Sequence, residues 1–205
     1  NVPVSAREAI ILSIFFQNAH SKEARLQIMK AESIYLKPRL ASHDQNLSQQ
    51  RGGVRGAKGE GERQIELDRR VIERTIKGID KELVSLKRVR EVQRKKRSAS
   101  KVYSFALTGY TNAGKSTILN TLTGSDVLAE NKLFATLDAT TRSLRLKNGQ
   151  EITLSDTVGF IRNLPASLIE AFSSTLEEAL SADGIIIVAD ASHIDAVGSL
   201  NTTIE

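Results

Sequence analysis

The chain has 205 residues, of which 40% are hydrophobic and 26% charged, and its formal net charge is +5. This is ordinary soluble composition for one or two modest domains with real cores, and the basic excess indicates either a polyanionic partner or simply a solvated surface. The chain has no cysteine, which excludes disulfides and thiolate metal sites, and no apolar run approaches the roughly 20 residues of a membrane span.

The first 40 residues contain one ambiguous apolar run and one clearer helix. The run at residues 9–16 fits either a helix or a buried strand, because a short apolar run does not distinguish the two. Residues 22–36 are predicted to form a helix that ends before Pro38. Its apolar face is predicted to comprise Leu26, Met29, Ser33 and Leu36, with Ile28 and Tyr35 beside it.

Residues 42–62 are rich in glycine and basic residues and have almost no core-forming side chains. The basic residues in and next to this segment include Arg51, Arg55, Lys58 and Arg63. Such a segment cannot offset its ordering entropy by burial, so we expect a mobile loop in the free protein. The loop is either a plain linker or an element that orders against RNA, where glycine lets the backbone approach and arginine meets phosphate.

Residues 63–97 are predicted to form one long helix with the narrow apolar seam of a coiled coil. The seam comprises Ile65, Ile72, Ile76, Ile79, Leu83 and Leu86, with Arg69 in one slot. Two helices that flank a flexible loop predict an antiparallel helical hairpin. The outer face of the long helix is basic and ends in Arg94, Lys95, Lys96 and Arg97, so it is either a solvated face or a surface for RNA phosphates.

Residues 109–116 read GYTNAGKS and fit the phosphate-binding loop pattern G-x-x-x-x-G-K-[ST]. Glycines at both ends let backbone N–H groups face the phosphates, Lys115 reaches the β and γ oxygens, and the Ser116 hydroxyl is offered to magnesium. A predicted strand at residues 101–108 precedes the loop and a predicted helix at 117–122 follows it. This is the context that the motif requires.

An α/β domain is predicted after a small polar joint at residues 98–100. Asn148 and Gly149 separate two alternating segments, which predicts a β-hairpin. The run at residues 184–190 is typical of a strand that is buried on both faces of a parallel sheet. A helix is predicted from Pro165, with an apolar stripe made of Leu168, Ile169, Phe172, Leu176 and Leu180.

A second nucleotide motif, DTVG at residues 156–159, follows a predicted strand. An aspartate at a strand end downstream of a phosphate loop holds magnesium directly or through water, and the glycine N–H can meet the γ-phosphate. The alternative is a structural aspartate that caps a turn. A nucleotide switch also needs a threonine that reaches magnesium, and the candidates between the two motifs are Thr136, Thr140 and Thr141.

These motifs together resemble the HflX family of translational GTPases, in the Obg-HflX superfamily. The matching segments are GYTNAGKS at 109–116, DVLAENKLFATLDATT at 126–141, DTVGF at 156–160, STLEE at 174–178 and DASH at 190–193, with RGG at 51–53 and DRR at 68–70 upstream. The resemblance implies an α/β class protein, with a long helical hairpin followed by a GTPase domain whose sheet is mostly parallel. It also implies a cytoplasmic monomer that contacts rRNA of the large ribosomal subunit near the peptidyl-transferase centre and splits stalled ribosomes.

The resemblance also assigns the site. Thr136, in the FATLD segment, would be the magnesium threonine, with Thr141 second. The residues expected to act in GTP hydrolysis are Lys115, Thr136, Asp156 and Gly159, and those expected to hold magnesium are Ser116, Thr136 and Asp156. The residues expected to contact the nucleotide are Gly109, Tyr110, Thr111, Asn112, Ala113, Gly114, Lys115, Ser116, Thr117, Phe134, Ala135, Thr136, Leu137, Asp138, Asp156, Thr157, Val158 and Gly159.

Two further residues carry expectations about turnover. Asn112 resembles the loop asparagine of potassium-activated members of the superfamily, so K⁺ is expected near it. Phe160 stands where many GTPases place a glutamine that orients the attacking water. Because a phenyl ring cannot hydrogen-bond water, we expect slow intrinsic hydrolysis that a partner stimulates.

The sequence departs from the family at two places. Residues 57–60 read AKGE where the family loop usually reads GPGE, and the guanine-reading Asn-Lys-x-Asp element does not occur. Guanine specificity therefore comes only from the resemblance. We expect a central fragment in which residues 1–20 are the remnant of a leading α/β domain, 21–97 the hairpin, and 98–205 an incomplete GTPase domain. The alternatives are a phosphate-loop ATPase and an RNA-binding helical module with an inert nucleotide domain.

Overall fold

The computed structural model describes residues 6–40, 57–98, 102–124, 133–164, 168–169 and 173–204, and the side chains of these residues except 57–62, 93–98 and 173–175. The helices are α1 (Arg7–Asn18), α2 (Lys22–Leu36), α3 (Ala57–Ser98), α4 (Lys115–Thr123), α5 (Ser173–Leu180) and α6 (Ala196–Ile204). The strands are β1 (Tyr103–Gly109), β2 (Thr140–Arg145), β3 (Glu151–Asp156) and β4 (Gly184–Val188). This order confirms the predicted class, a helical region followed by an α/β domain.

Helices α2 and α3 form the predicted antiparallel hairpin. Three ion pairs show that the two helices run in opposite directions. Lys22, Lys30 and Lys37 of α2 contact Glu82, Asp80 and Glu73 of α3 at 2.7, 2.9 and 2.8 Å, respectively. Exposed pairs of this kind contribute little stability, so the apolar seam is the main attachment. Ile79 of that seam is buried and its other apolar members are half-buried, as the coiled-coil pattern predicts.

The structure describes part of the basic surface that was predicted for the hairpin. Helix α3 begins at Ala57, so residues 57–62, predicted as the end of the loop, are helical instead. A helix that extends through these residues pairs backbone groups that a loop would leave to water. Arg51 and Arg55 lie outside the described residues, as do the side chains of Lys58, Arg94, Lys95, Lys96 and Arg97.

The first two helices pack against each other. Residues 9–16 belong to a helix, because the buried residues Ile11, Leu12 and Phe15 recur at helical spacing. The predicted apolar face of α2 is wrong in part, since Met29 and Leu36 are 42% and 43% exposed. The residues buried beside α1 are instead Ala24, Ile28 and Ala31, whose i, i+4, i+7 spacing and small size allow close approach.

The sheet has the order β2-β3-β1-β4, with β1 parallel to both β3 and β4 and β2 antiparallel to β3. Leu107 of β1 pairs with Asp156 of β3, so the carboxyl ends of these strands lie side by side. The phosphate loop and the DTVG motif are thereby brought to one edge of the sheet. The predicted Asn-Gly turn joins β2 and β3, and Gly149 adopts a φ of 86° there.

Two predictions of burial in the α/β region are wrong. Ile185, Ile186 and Ile187 of β4 are 51%, 41% and 44% exposed, because among the described strands β4 lies at the edge of the sheet and pairs with β1 alone. The stripe predicted from Pro165 is only partly buried: Leu168 is 1% exposed, whereas Leu180 is 79% exposed. Ile169 is also exposed, and Pro165 and Phe172 lie outside the described residues.

The buried side chains form two cores. The first lies between the sheet and α4, and comprises Leu107, Leu119, Ile152, Leu154 and Val188. The second joins α1 and α2 to the segments that flank the candidate nucleotide motifs, and its members there include Phe134, Leu137, Val158 and Leu168. Among the described helices, none is long and apolar enough to cross a bilayer.

Substitution of Phe15 tests the contribution of this second core to stability. It is fully buried and meets the Phe134 ring edge to face at 4.7 Å, whereas its neighbour Phe16 is 60% exposed. We expect Phe15→Ala to lower the free energy of unfolding by about 3–5 kcal/mol, because it removes a buried ring and leaves a cavity. The matched variant Phe16→Ala should cost well under about 1 kcal/mol. Urea denaturation measures both values, and equal losses would contradict the assignment of this core.

Candidate functional site

The phosphate-binding loop connects β1 to α4. Gly114 is the N-cap of α4 and has a φ of 88°, in the left-handed region that favours glycine. The loop thus delivers Lys115 and Ser116 at the positive end of the helix, where backbone N–H groups are unsatisfied. An open cleft of about 390 Å³ lies against this end. The arrangement is suited to an anion such as a triphosphate.

The cleft brings together most of the residues predicted to contact a nucleotide. It is lined by Thr111, Asn112, Ala113, Gly114, Lys115, Ser116, Thr117, Phe134, Ala135, Thr136, Thr157 and Gly159. The lining does not include the other predicted residues, Gly109, Tyr110, Leu137, Asp138, Asp156 and Val158. Leu137 and Val158 point into the second core, and the Asp138 carboxylate binds the start of α2.

Lys115 is buried beneath the loop, with only 6% of its surface exposed. Its Nζ donates to the carbonyl oxygens of Tyr110 at 3.0 Å and Gly109 at 3.4 Å. Burial lowers the pKa of this amine, and the nearby Asp156 carboxylate opposes the shift. The loop carbonyl oxygens carry only partial negative charge. A phosphate in the cleft would place full negative charge next to this amine.

Three oxygens meet below the loop. Ser116 Oγ donates to Asp156 Oδ2 at 2.5 Å, Thr136 Oγ1 donates to the same oxygen at 2.9 Å, and the two hydroxyl oxygens are 2.8 Å apart. Asp156 is fully buried, and its Oδ1 has no hydrogen-bond partner among the described residues. Burial raises the pKa of this carboxyl, against the hydrogen bonds from both hydroxyls and the charge of Lys115.

This oxygen cluster fits magnesium. Neighbouring ligands of an octahedral Mg²⁺ ion lie about 2.9 Å apart, which is close to the spacing of these oxygens, and hard oxygen donors are the ones this ion prefers. Because Mg²⁺ in nucleotide sites keeps phosphate and water ligands, one carboxylate and two hydroxyls suffice from the protein. No group of three His, Cys, Asp or Glu side chains placed to hold a metal occurs in the described part of the chain.

The competing threonines lie elsewhere. Thr140 and Thr141 belong to β2, and Thr141 Oγ1 is 2.8 Å from Ser155 Oγ across the β2–β3 pair. Thr136 is therefore the candidate threonine that the structure brings to both Ser116 and Asp156.

The segment after Asp156 pairs with the phosphate loop. Phe160 N donates to Gly109 O at 3.0 Å, and Thr111 N donates to Phe160 O at 2.7 Å. A Cβ on Gly159 would lie 2.5 Å from Thr111 Cα, so only glycine fits this close approach. Thr157 Oγ1 donates to Leu107 O at 2.7 Å, which uses its side chain to tie β3 to β1.

Residues of α1 and of the turn between α1 and α2 hold the Thr136 segment in place. Asn18 Nδ2 donates to Phe134 O at 2.9 Å, while Phe134 N donates to Thr111 Oγ1 at 2.8 Å. The backbone N–H groups of His20 and Ser21 each donate to Asp138 at 2.9 Å. Asn18, His20 and Ser21 lie more than 100 residues before their partners Phe134 and Asp138, so no local spacing connects them. The apolar run at residues 9–16 is the sequence signal of a buried partner here.

Two protein families match the chain in succession. Residues 18–97 match the family described as GTP-binding GTPase Middle Region, and residues 104–205 match the one described as 50S ribosome-binding GTPase. The similar curated proteins include the GTPase HflX of Caldanaerobacter subterraneus subsp. tengcongensis, 48% identical over 95% of this chain, and that of Lacrimispora saccharolytica, 50% identical over 93%. The chain spans 45% of the length of each.

A solved structure resembles the chain over most of its length. It is a GTP-binding protein from Sulfolobus solfataricus in complex with GDP, with a TM-score of 0.51 and 27% identity. The match covers 95% of this chain and 48% of that protein. The similarity therefore extends over the helical region as well as the α/β region.

The oxygen cluster predicts different effects for two threonine variants. Thr136→Ala removes a hydroxyl from the cluster, so we expect about a tenfold rise in the Mg²⁺ concentration that supports triphosphate binding, equivalent to about 1.4 kcal/mol. Thr141→Ala should leave this concentration unchanged and cost only about 1 kcal/mol of stability, because its hydroxyl bonds Ser155. Fluorescence titration of a labelled triphosphate at varied Mg²⁺ measures the effect. A larger effect at Thr141 would reverse the assignment.

Proposed function

Because the chain belongs to the HflX family of GTPases, we propose that the protein of which it is part hydrolyses GTP and associates with the large ribosomal subunit. The observation that carries the hydrolytic part is the oxygen cluster of Ser116, Thr136 and Asp156 directly below the phosphate loop. A loop that only held an anion would have no use for a buried carboxylate there. The cluster instead suits the metal that accompanies a nucleoside triphosphate.

Each residue of the site has a part in the proposed reaction. Lys115 binds the β and γ oxygens, and the loop N–H groups with the Gly159 N–H surround the terminal phosphate. Ser116, Thr136 and Asp156 would hold Mg²⁺, which neutralises charge on the phosphate oxygens. The ring of Phe160 offers no hydrogen bond to the attacking water, and a slow basal rate that the ribosome raises follows from this.

Guanine is proposed over adenine on the strength of relatives. The curated relatives are named as GTPases, and the similar solved structure is in complex with GDP. No observation favours the ATPase alternative. Competition between GTP and ATP in the full-length protein separates the two directly.

The ribosomal part of the proposal rests on the description of one matching family and on the positive charge of the hairpin. One matching family carries the description 50S ribosome-binding GTPase. Exposed basic side chains follow α3, namely Arg69, Arg70, Arg74, Lys77, Lys81, Lys87 and Arg88, of which Lys87 also contacts Glu177 of α5. Such a face suits rRNA phosphates, together with Arg51 and Arg55 of the predicted loop, Arg63 near the start of α3, and the cluster Arg94, Lys95, Lys96 and Arg97. We further propose that the protein acts in the cytoplasm as a monomer and splits stalled ribosomes.

Lys115→Ala tests the two halves of this proposal separately. In the full-length protein we expect 50S subunits to stimulate hydrolysis of GTP and not of ATP. Lys115→Ala should weaken triphosphate binding by roughly 10- to 100-fold, because it removes a charge-assisted contact worth about 1.5–3 kcal/mol. It should spare salt-dependent sedimentation with 50S subunits in the absence of nucleotide, since that association comes from basic residues elsewhere.

Lys147→Ala is the matched control, because Lys147 is an exposed lysine in the turn between β2 and β3. It should change neither quantity. ATP turnover equal to GTP turnover would overturn the guanine assignment. Absence of sedimentation by the wild-type protein at low salt would overturn the ribosomal one.

Potassium is proposed as a second cation near Asn112. This residue lines the cleft and has a φ of 62°, a conformation that asparagine adopts more readily than most residues. With K⁺ in place of Na⁺ at equal ionic strength, we expect several-fold faster hydrolysis, because a coordinated cation adds positive charge next to the phosphates. Asn112→Ala should remove the difference. Equal wild-type rates in the two salts would exclude this role.

A further inference from the structure

Charged groups from four segments meet at the base of the helical hairpin. Arg90 of α3 contacts Glu23, in the first turn of α2, at 2.8 Å and Glu177 of α5 at 3.4 Å. Lys87 contacts Glu177 from the same face of α3 at 2.7 Å. Helix α2 is joined in turn to the Thr136 segment, because Asp138 accepts hydrogen bonds from the backbone at its start. One arginine thus contacts α2 and α5 together.

The side chains that make these ion pairs are partly buried. The side chains of Arg90 and Glu23 are 21% and 17% exposed, and that of Glu177 is 33% exposed. Ion pairs that are this shielded are stronger and less screened by salt than exposed ones. Burial raises the pKa of Glu23, and Arg90 opposes the shift, while Glu177, Asp138 and Glu178 reinforce it. Arg90 is therefore the cation that lets these carboxylates share one region.

The segment that ends at Asp138 borders the nucleotide cleft, and α5 is connected to the DTVG motif through the second core. Asp138 lies two residues after Thr136, whose hydroxyl belongs to the oxygen cluster. Helix α5 follows the DTVG motif in the chain, and Leu176, next to Glu177, packs against the core that contains Val158. A displacement of either segment would therefore change the contacts that its carboxylate makes at the base of the hairpin.

We propose that Arg90 couples the occupancy of the nucleotide site to the orientation of the helical hairpin, by joining α2 and α5 to α3 at its base. The coupling rests on the proposed binding of GTP and goes beyond it. Two orientations of the hairpin would differ in the contacts that Arg90 makes with Glu23 and Glu177. Because coupling between sites is reciprocal, the nucleotide biases the orientation and the orientation biases the nucleotide affinity.

A distance measurement in the full-length protein tests this coupling. Spin labels at Val71 and Lys147, both exposed, report the position of the hairpin relative to the sheet. This chain has no cysteine, so labelling sites can be introduced into it without a background, after replacement of any cysteine elsewhere in the protein. Pulsed dipolar spectroscopy compares the distance distribution with GDP and with a non-hydrolysable GTP analogue. Calorimetry measures the two affinities in parallel.

Arg90→Met removes the charge and keeps an unbranched side chain with good helix propensity. Glu91→Met is the matched control, because Glu91 is an exposed charged residue next to Arg90 on the same helix. We expect the wild-type and Glu91→Met distances to shift between the two nucleotides, and Arg90→Met to lose the shift while it still binds both. The ratio of the two dissociation constants should also change in Arg90→Met, by about fivefold or more. Glu177→Gln is the second variant, to be used if Arg90→Met fails to fold. It is a milder change at a less buried residue, and it should reduce the shift.

The outcomes separate the two proposals. A nucleotide-dependent shift that persists in Arg90→Met and in Glu177→Gln overturns the coupling. Normal binding of both nucleotides by the wild type without any shift also overturns it, and leaves the proposed function intact. Failure of the wild type to bind either nucleotide overturns the proposed function and this inference with it.

Discussion

The burial of Phe134 and Leu137 outside the sheet constrains the rest of the molecule. These two side chains lie in the core that α1 and α2 build, while Thr136 between them turns its hydroxyl toward Ser116 and Asp156. The same short segment therefore serves a packed core on one side and the cleft on the other. Because protein interiors are close-packed, Thr136 cannot move far without moving Phe134 against Phe15. The helical region thus limits the positions that the oxygen cluster can take.

The segment after the DTVG motif is held in a similar way. Phe160 pairs with the phosphate loop through its backbone, and Arg7 at the start of α1 donates to the carbonyl oxygens of Arg162 and Asn163 at 2.6 and 2.9 Å. Both segments that border the terminal-phosphate end of the cleft thus end on the N-terminal helices. Packed interfaces of this kind have a few discrete arrangements, so small shifts at a ligand can become larger movements of a helix.

Local spacing explains which features the sequence predicted. The phosphate loop, the Asn-Gly hairpin and the coiled-coil seam each depend on residues that are neighbours in the chain, and all three were found where expected. The buried face of α2 was misjudged, because Met29 fits an apolar helix face as well as Ile28 does and only the position of α1 decides between them. The hydrogen bonds of Asn18 to Phe134 and of Ser21 to Asp138 cross more than 100 residues, and no periodicity encodes them.

The charges below the loop indicate what binding of a ligand would contribute to the fold. Burial lowers the pKa of Lys115 and raises that of Asp156, so in each case it disfavours the charged form. A triphosphate with its magnesium would bring negative charge to the amine and positive charge to the carboxylate, and each would favour the charged form against the effect of burial. The free energy of those contacts is available only to the folded chain, so the ligand stabilises the fold by linkage. Since Asp156 touches Thr136, and Thr136 lies between two side chains of the second core, this stabilisation reaches the N-terminal helices as well as the sheet.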